Sequence, residues 1–203
     1  MSSTTWVAGS LLAAYFLFLW WYGGRGAALT PVEIELALNE LRAEQQQPDQ
    51  QRVLDELRTL LANDDGREFV MHNLVRYRER ALYPAGHSYG DDPRAADRRY
   101  GRAILWPLLR RACLPVFIAR RAGRFIEPAN MPAWHYVASV RYRSRRDFLS
   151  FAQEIARADI VMHKWAAIAT TQVFPVQPLI SLVFVRGAVA VLLTLLGWLV
   201  LVI

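Results

Sequence analysis

Two long stretches without charge, one near each end, constrain this chain more than any other feature. Residues 6–22 read WVAGSLLAAYFLFLWWY, and residues 179–203 read LISLVFVRGAVAVLLTLLGWLVLVI, where only Arg186 interrupts. At about 1.5 Å per residue, an uncharged run of about 17 residues makes roughly 25 Å of helix, near the thickness of a bilayer's hydrocarbon core. The residues between them hold nearly all the charge. Overall the chain is 54% hydrophobic, 21% charged and +6. That pairing excludes a disordered chain, which lacks apolar residues, and a bundle buried wholly in lipid, which lacks charges.

The first run closes on Trp20, Trp21 and Tyr22, as an interfacial aromatic belt does. A signal peptide wants a basic stretch before its apolar core, and here no Lys or Arg precedes Arg25. The run therefore reads as a retained span. Arg186 is costly at a bilayer centre but tolerable at its edge, so it marks the start of the second span. Arg25 and Arg186 both flank the middle, and the outer flanks carry no Lys or Arg. Positive-inside reasoning puts the middle in the cytoplasm of a bacterium, anchored in its inner membrane with both termini across. The expected organisation is an N-terminal transmembrane helix (1–24), an amphipathic helical hairpin (25–66), an α+β domain (67–178) and a C-terminal transmembrane helix (179–203).

Within the middle, Thr30-Pro31-Val32-Glu33 is a helix start, with Thr as N-cap, Pro at N1 and Glu at N3. A Gln-rich break with Pro48 separates this helix from a second near 49–62. From residue 67 the hydrophobic period changes. FVMHNLVRYR (69–78) alternates as a strand, residues 94–112 form a basic helix, and PVFIARRAGRFI (115–126) gives a strand or hairpin. WHYVASVRYR (134–143) is a third strand, Ser144 caps the helix SRRDFLSFAQEIA, and KWAAIATTQVFPV (164–176) is a fourth strand. The order β-α-β-β-α-β predicts a ferredoxin-like fold, an antiparallel sheet with two helices on one face.

The stretches NLVRYRERALYP (73–84), DRRYGRAILWPLLRR (97–111), WHYVASVRYRSRRDFLSF (134–151) and MHKWAAIATTQV (162–173) resemble the family called domain of unknown function 1330, of the dimeric α+β barrel superfamily. The aspartate that follows tryptophan in such sequences is His135 here, and the proline of their RYPSR is Arg143. The resemblance implies a homodimer whose two sheets pack face to face around a lumen. Relatives in that superfamily use the lumen as monooxygenases, haem-binding enzymes, isomerases or ligand carriers, so fold alone does not assign an activity.

Candidate chemistry centres on His163, which matches a His-basic pair in the resembling proteins and reads as a general acid/base or haem ligand, or as a histidine meeting a helix dipole. Asn73, Tyr77, Tyr100, Trp134, Tyr136 and Arg141 are candidate pocket residues, with Arg141 able to clamp an anionic group. Strict alternation puts Arg141 on the face opposite Tyr136, so these residues share one lumen only if a bulge intervenes. Cys113 is the lone cysteine, which excludes a disulfide scaffold and a multi-cysteine zinc site. The four histidines lack metal-ligand spacing, so no metal is assigned, and the cofactor is left unknown. No phosphate-binding loop, HExxH or GxSxG occurs. The third strand lacks the basic-Gly-aromatic signature of RNA-recognition domains, so nucleic acid is not an expected partner. The Arg-rich helix 94–111 suits anionic lipid headgroups instead. Three functions stand open: a homodimeric ligand-binding or accessory subunit, a membrane-tethered oxidoreductase or isomerase using His163, and an assembly factor of a larger membrane complex.

Overall fold

A computed structural model describes residues 3–23, 27–44, 50–126, 128, 130–131, 133–179 and 184–202. The chain divides into two compact units, residues 1–24 with 178–203, and residues 25–177.

The first unit pairs α1 (Ser3–Tyr22) with α7 (Val185–Val202). Both are long and apolar enough to cross a membrane, by length and composition. Trp6, Leu12, Phe16, Leu17 and Trp20 form an exposed apolar face of α1, and Leu11, Tyr15 and Tyr22 on its other side meet α7. The two helices run antiparallel. Leu11 lies against Gly197, where a Cβ would come within 2.5 Å of Leu11 Cδ1. Toward the other end, the Arg186 guanidinium lies 4.9 Å from the Tyr22 ring centre. The Tyr15 hydroxyl donates to the Arg186 carbonyl at 3.3 Å. Gly197 thus permits the close approach, and an arginine stacked on an aromatic residue closes the pair at the Tyr22 end.

The second unit is built on β1 (Phe69–Tyr77), β2 (Leu114–Arg120), β3 (Tyr136–Tyr142) and β4 (Ile168–Val176). They form one antiparallel sheet in the order β2-β3-β1-β4. The first crossover is α4 (Pro93–Leu109); the second holds α5 (Arg145–Arg157) and a short α6 (Val161–Ala167). The result is an α+β domain with the ferredoxin-like strand order. Phe69, Met71 and Tyr142 pack with Leu108, Phe151 and Ile155 of the helices. Val75 packs with Ala96, Ala166 and Ala167. The alternate residues Val70, His72, Leu74 and Arg76 take the other face, where none of the buried clusters has a member.

Local signals set the helix starts. Asp92 caps α4 by accepting from Arg94 N at 2.8 Å. Ser144 caps α5, accepting from Asp147 N at 3.1 Å and donating to Asp147 Oδ2 at 2.6 Å. Ahead of these elements, α2 (Pro31–Glu44) opens with the expected capping box. Thr30 N donates to Glu33 Oε2 at 2.8 Å, and Glu33 N donates back to Thr30 Oγ1 at 3.3 Å. With α3 (Gln50–Ala62) it forms a hairpin whose fully buried Leu38 and Leu61 share a cluster with Leu149 and Ala156 of α5. The hairpin is therefore packed into the same unit as the sheet. Arg146 to Glu33 and Arg157 to Glu40 tie it down further.

Several boundaries differ from expectation: the helix expected over 94–112 ends at Leu109, and the strand expected over 134–143 spans Tyr136–Tyr142. The segment expected to be strand from residue 164 is helical through Ala167, and the strand begins at Ile168. Ala166 and Ala167 suit a helix and are buried as one, whereas the β-branched residues start afterward. The second strand stops at Arg120, one further cross-strand bond follows from Arg121 N to the His135 carbonyl at 3.0 Å, and Arg121 Nε then donates to the Gly123 carbonyl at 2.8 Å. Phe125 and Ile126 beyond it are exposed.

Candidate functional site

Where β1 ends and α4 begins, the fold leaves a cavity of about 370 Å³ lined by Tyr77, Arg80, Asp91, Asp92, Arg94 and His135 among others. A bulge at Arg76/Tyr77 shifts the register there. Tyr77 N donates to His135 Nδ1 at 3.0 Å, so that nitrogen is the acceptor and a neutral ring carries its proton on Nε2. The two rings lie 5.3 Å apart, and the Arg94 guanidinium sits 5.9 Å from the Tyr77 ring centre.

Behind the cavity, two phenols converge on one carboxylate. Tyr77 donates to Asp97 Oδ2 at 2.8 Å, and Tyr136 donates to Asp97 Oδ1 at 3.0 Å. Burial, reinforced by the Asp97 charge, pushes both phenols well above the ordinary tyrosine range. They therefore stay protonated donors at neutral pH. Burial also raises the Tyr100 phenol and pulls the Lys164 ammonium down, while Asp97 opposes the latter shift. Lys164 Nζ lies 5.9 Å from the Tyr100 ring centre and 5.2 Å from that of Trp165.

His163 belongs to a second cluster. It sits inside α6, not immediately before a strand. Its Nδ1 shares a 2.9 Å hydrogen bond with the Tyr83 hydroxyl. The Tyr89 ring meets it edge-on at 4.9 Å. Desolvation, then the charges of Arg99 and His87, hold its pKa below the ordinary histidine value. Tyr83, His87 and Tyr89 come from the loop between β1 and α4. That loop is closed by Ala81 N donating to the Asp91 carbonyl at 2.7 Å and docked by Leu82 N donating to the Ala166 carbonyl at 3.0 Å. Gly86 and Gly90, at φ +89° and +80°, supply the left-handed turns it needs.

The expected pocket residues separate accordingly. Tyr77, Tyr136 and Tyr100 surround Asp97. Asn73 lies on the helix-covered face, its amide donating to the Met71 and Ala138 carbonyls, both at 3.2 Å. Arg141 takes the opposite face, is almost wholly buried, and is held by Glu68 and by the Ala112 carbonyl at 2.8 Å. It acts there as a clamp between the sheet and the end of α4. Trp134 is half-buried just ahead of β3. Sequence reasoning did not single out Asp97, Arg99, His87, Tyr83 or Tyr89. Asp97 lies three residues before Tyr100, and that helical spacing was the available signal. Among the described residues, no group of three or more His, Cys, Asp and Glu is placed to hold a metal ion.

A four-stranded antiparallel sheet in this order, with both crossovers helical, defines a ferredoxin-like α+β protein. Among solved structures, the chain is similar to a protein of unknown function from Rhodopseudomonas palustris. Identity is 26% and the TM-score 0.54, over 64% of this chain and 94% of that one. For the methylated form of that protein the values are 27% and 0.55, over 64% and 91%. A dabb-family protein with a ferredoxin-like fold from Mesorhizobium loti matches at 11% identity and a TM-score of 0.36, over 55% of this chain and 97% of that one, a likeness too slight to bear on function. No family model and no curated protein matches the chain.

Proposed function

We propose that this protein is a membrane-anchored, homodimeric ligand-binding or accessory subunit, with its α+β domain on the cytoplasmic side of an inner membrane. One observation carries the pairing: a continuous row across the sheet face away from the helices. Phe117, Ser139, His72 and Phe174 are register partners from edge to edge. The Ser139 hydroxyl and His72 Nδ1 are 2.7 Å apart at its centre, and exposed Phe117 and Phe174 flank them. A sheet face that carries exposed Phe117 and Phe174 and is covered by no described helix of the domain suits a second sheet, with the Ser-His pair inside a lumen. The resemblance to domain of unknown function 1330 supports the same arrangement, and the two apolar helices support the anchoring.

Native mass measurement of the full chain from mild detergent tests this reading. The expected result is twice 23.2 kDa, reverting to one copy in Phe117→Asp. Monomer in the unmodified chain across several mild detergents would overturn it. A second reading, oxidoreductase or isomerase chemistry at His163, is favoured by the bond to Tyr83. It predicts a bound chromophore or turnover that His163→Ala removes. The assembly-factor reading predicts partners that co-purify under the same conditions.

A further inference from the structure

We propose that Arg99, His87 and His163, walled by Tyr83 and Tyr89, form a receptor for the oxyanion group of a small ligand, a carboxylate or a phosphate. Arg99 Nη1 is buried and has no hydrogen-bond partner among the described residues. A guanidinium N–H removed from water without an acceptor is unfavourable, and an anion relieves that. The Arg99 guanidinium lies 5.5 Å from the Tyr89 ring centre, which fixes its plane. Three elements deliver the cluster: α4 brings Arg99, α6 brings His163, and the closed loop brings His87, Tyr83 and Tyr89. The His87 ring stacks on Tyr89 at 6.1 Å, and Tyr83 packs on Tyr89 at 4.9 Å.

The neighbouring acids are already engaged. Asp97 accepts from Tyr77 and Tyr136, Asp92 lies 3.5 Å from Arg98, and Asp91 lies 3.5 Å from Arg80. Around the Tyr89 ring, Arg99 thus supplies the positive charge beside two imidazoles, and no described carboxylate bridges any of the three. A guanidinium backed by neutral imidazole N–H donors is what carboxylate and phosphate recognition uses. The Tyr83 hydroxyl occupies His163 Nδ1, and no described residue takes the other ring nitrogen. This site lies on the helix-bearing side of the domain and stands whether or not the sheets pair.

The test is calorimetric titration of the full chain in mild detergent with inorganic phosphate, and separately with acetate. Saturable binding of either supports the site, and the preferred probe assigns phosphate ester or carboxylate. Arg99→Gln is expected to weaken binding by about tenfold or more, while Arg102→Gln, an exposed charge on the same helix, stays within about twofold. If Arg99→Gln does not fold by circular dichroism, the loop variant His87→Gln combined with His163→Gln replaces it, with weakening of about threefold or more expected. The proposal is overturned if neither anion binds saturably, or if the folded variant binds as the unmodified chain does.

Discussion

The carboxylate shared by two phenols makes a quantitative prediction. Tyr77→Phe and Tyr136→Phe each delete one hydrogen bond to Asp97, of 2.8 and 3.0 Å. A hydrogen bond to a charged acceptor contributes about 1.5–3 kcal/mol, and these partners are only part-buried, so the lower end applies: about 1.5 kcal/mol each. In a chain of this size 1 kcal/mol moves Tm by about 2–4 °C, so each single variant should melt roughly 3–6 °C lower. The double variant should fall further than the sum, by about 1 kcal/mol more. Its second deletion strands a half-buried carboxylate, whereas the first leaves it one phenol. Melting of the full chain in one detergent, followed by circular dichroism, supplies all four corners of the cycle. Single variants within about 1 °C of the unmodified chain, or strict additivity in the double, would refute the reasoning.

Three further predictions concern other parts of the domain. Ser144→Ala removes a buried N-cap and should lower stability by about 1 kcal/mol, read as a shift in urea midpoint with unchanged slope. Hydrogen bonds from Arg146 and Thr30 hold the Glu33 carboxyl down from 4.5 to about 2. Folding therefore favours its ionised form, and its contribution is full above about pH 4.5 and lost as pH falls toward 2. Glu33→Gln should flatten the pH dependence of the urea midpoint in that window, and parallel profiles would count against the Arg146 contact. Cys113 is fully buried, and its thiol is pushed up to about 11, chiefly by desolvation. Alkylation at pH 8 should thus proceed only at the rate of unfolding, and prompt labelling of native protein would contradict that burial.

Much of the architecture is readable along the chain because it is local. The alternation of FVMHNLVRY and the caps at Thr30 and Ser144 each depend on residues a few positions apart, while the break expected at Pro48 lies outside the described residues. Ala166 and Ala167 read as strand along the sequence for a comparable reason. Their helix lies directly against the strand that follows, and periodicity cannot divide a seven-residue helix from its neighbour. The site was less readable. Asp97 has its role because Tyr77 and Tyr136, 59 residues apart, end on one face of paired strands. His163 meets Tyr83 across 80 positions. Arg141 looked like an anion clamp by residue type, and it is instead occupied by Glu68 and a backbone carbonyl. Arginine content had a similar double meaning: Arg111, Arg145 and Arg146 hold elements of the domain together, so net charge alone overstates the surface on offer.

The tie between Ala81 and Asp91 also bears on how this protein can change over time. The nine residues from 82 to 90 begin and end at one hydrogen bond of 2.7 Å. A loop whose ends are already joined can grow without moving the elements outside the joint, and doubling its length adds only about 0.6 kcal/mol of closure entropy. Insertions here should be tolerated where insertions in β1 or α4 are not. Descendants of this sequence can therefore exchange the aromatic and histidine content of one short segment while the sheet beneath it stays as it is.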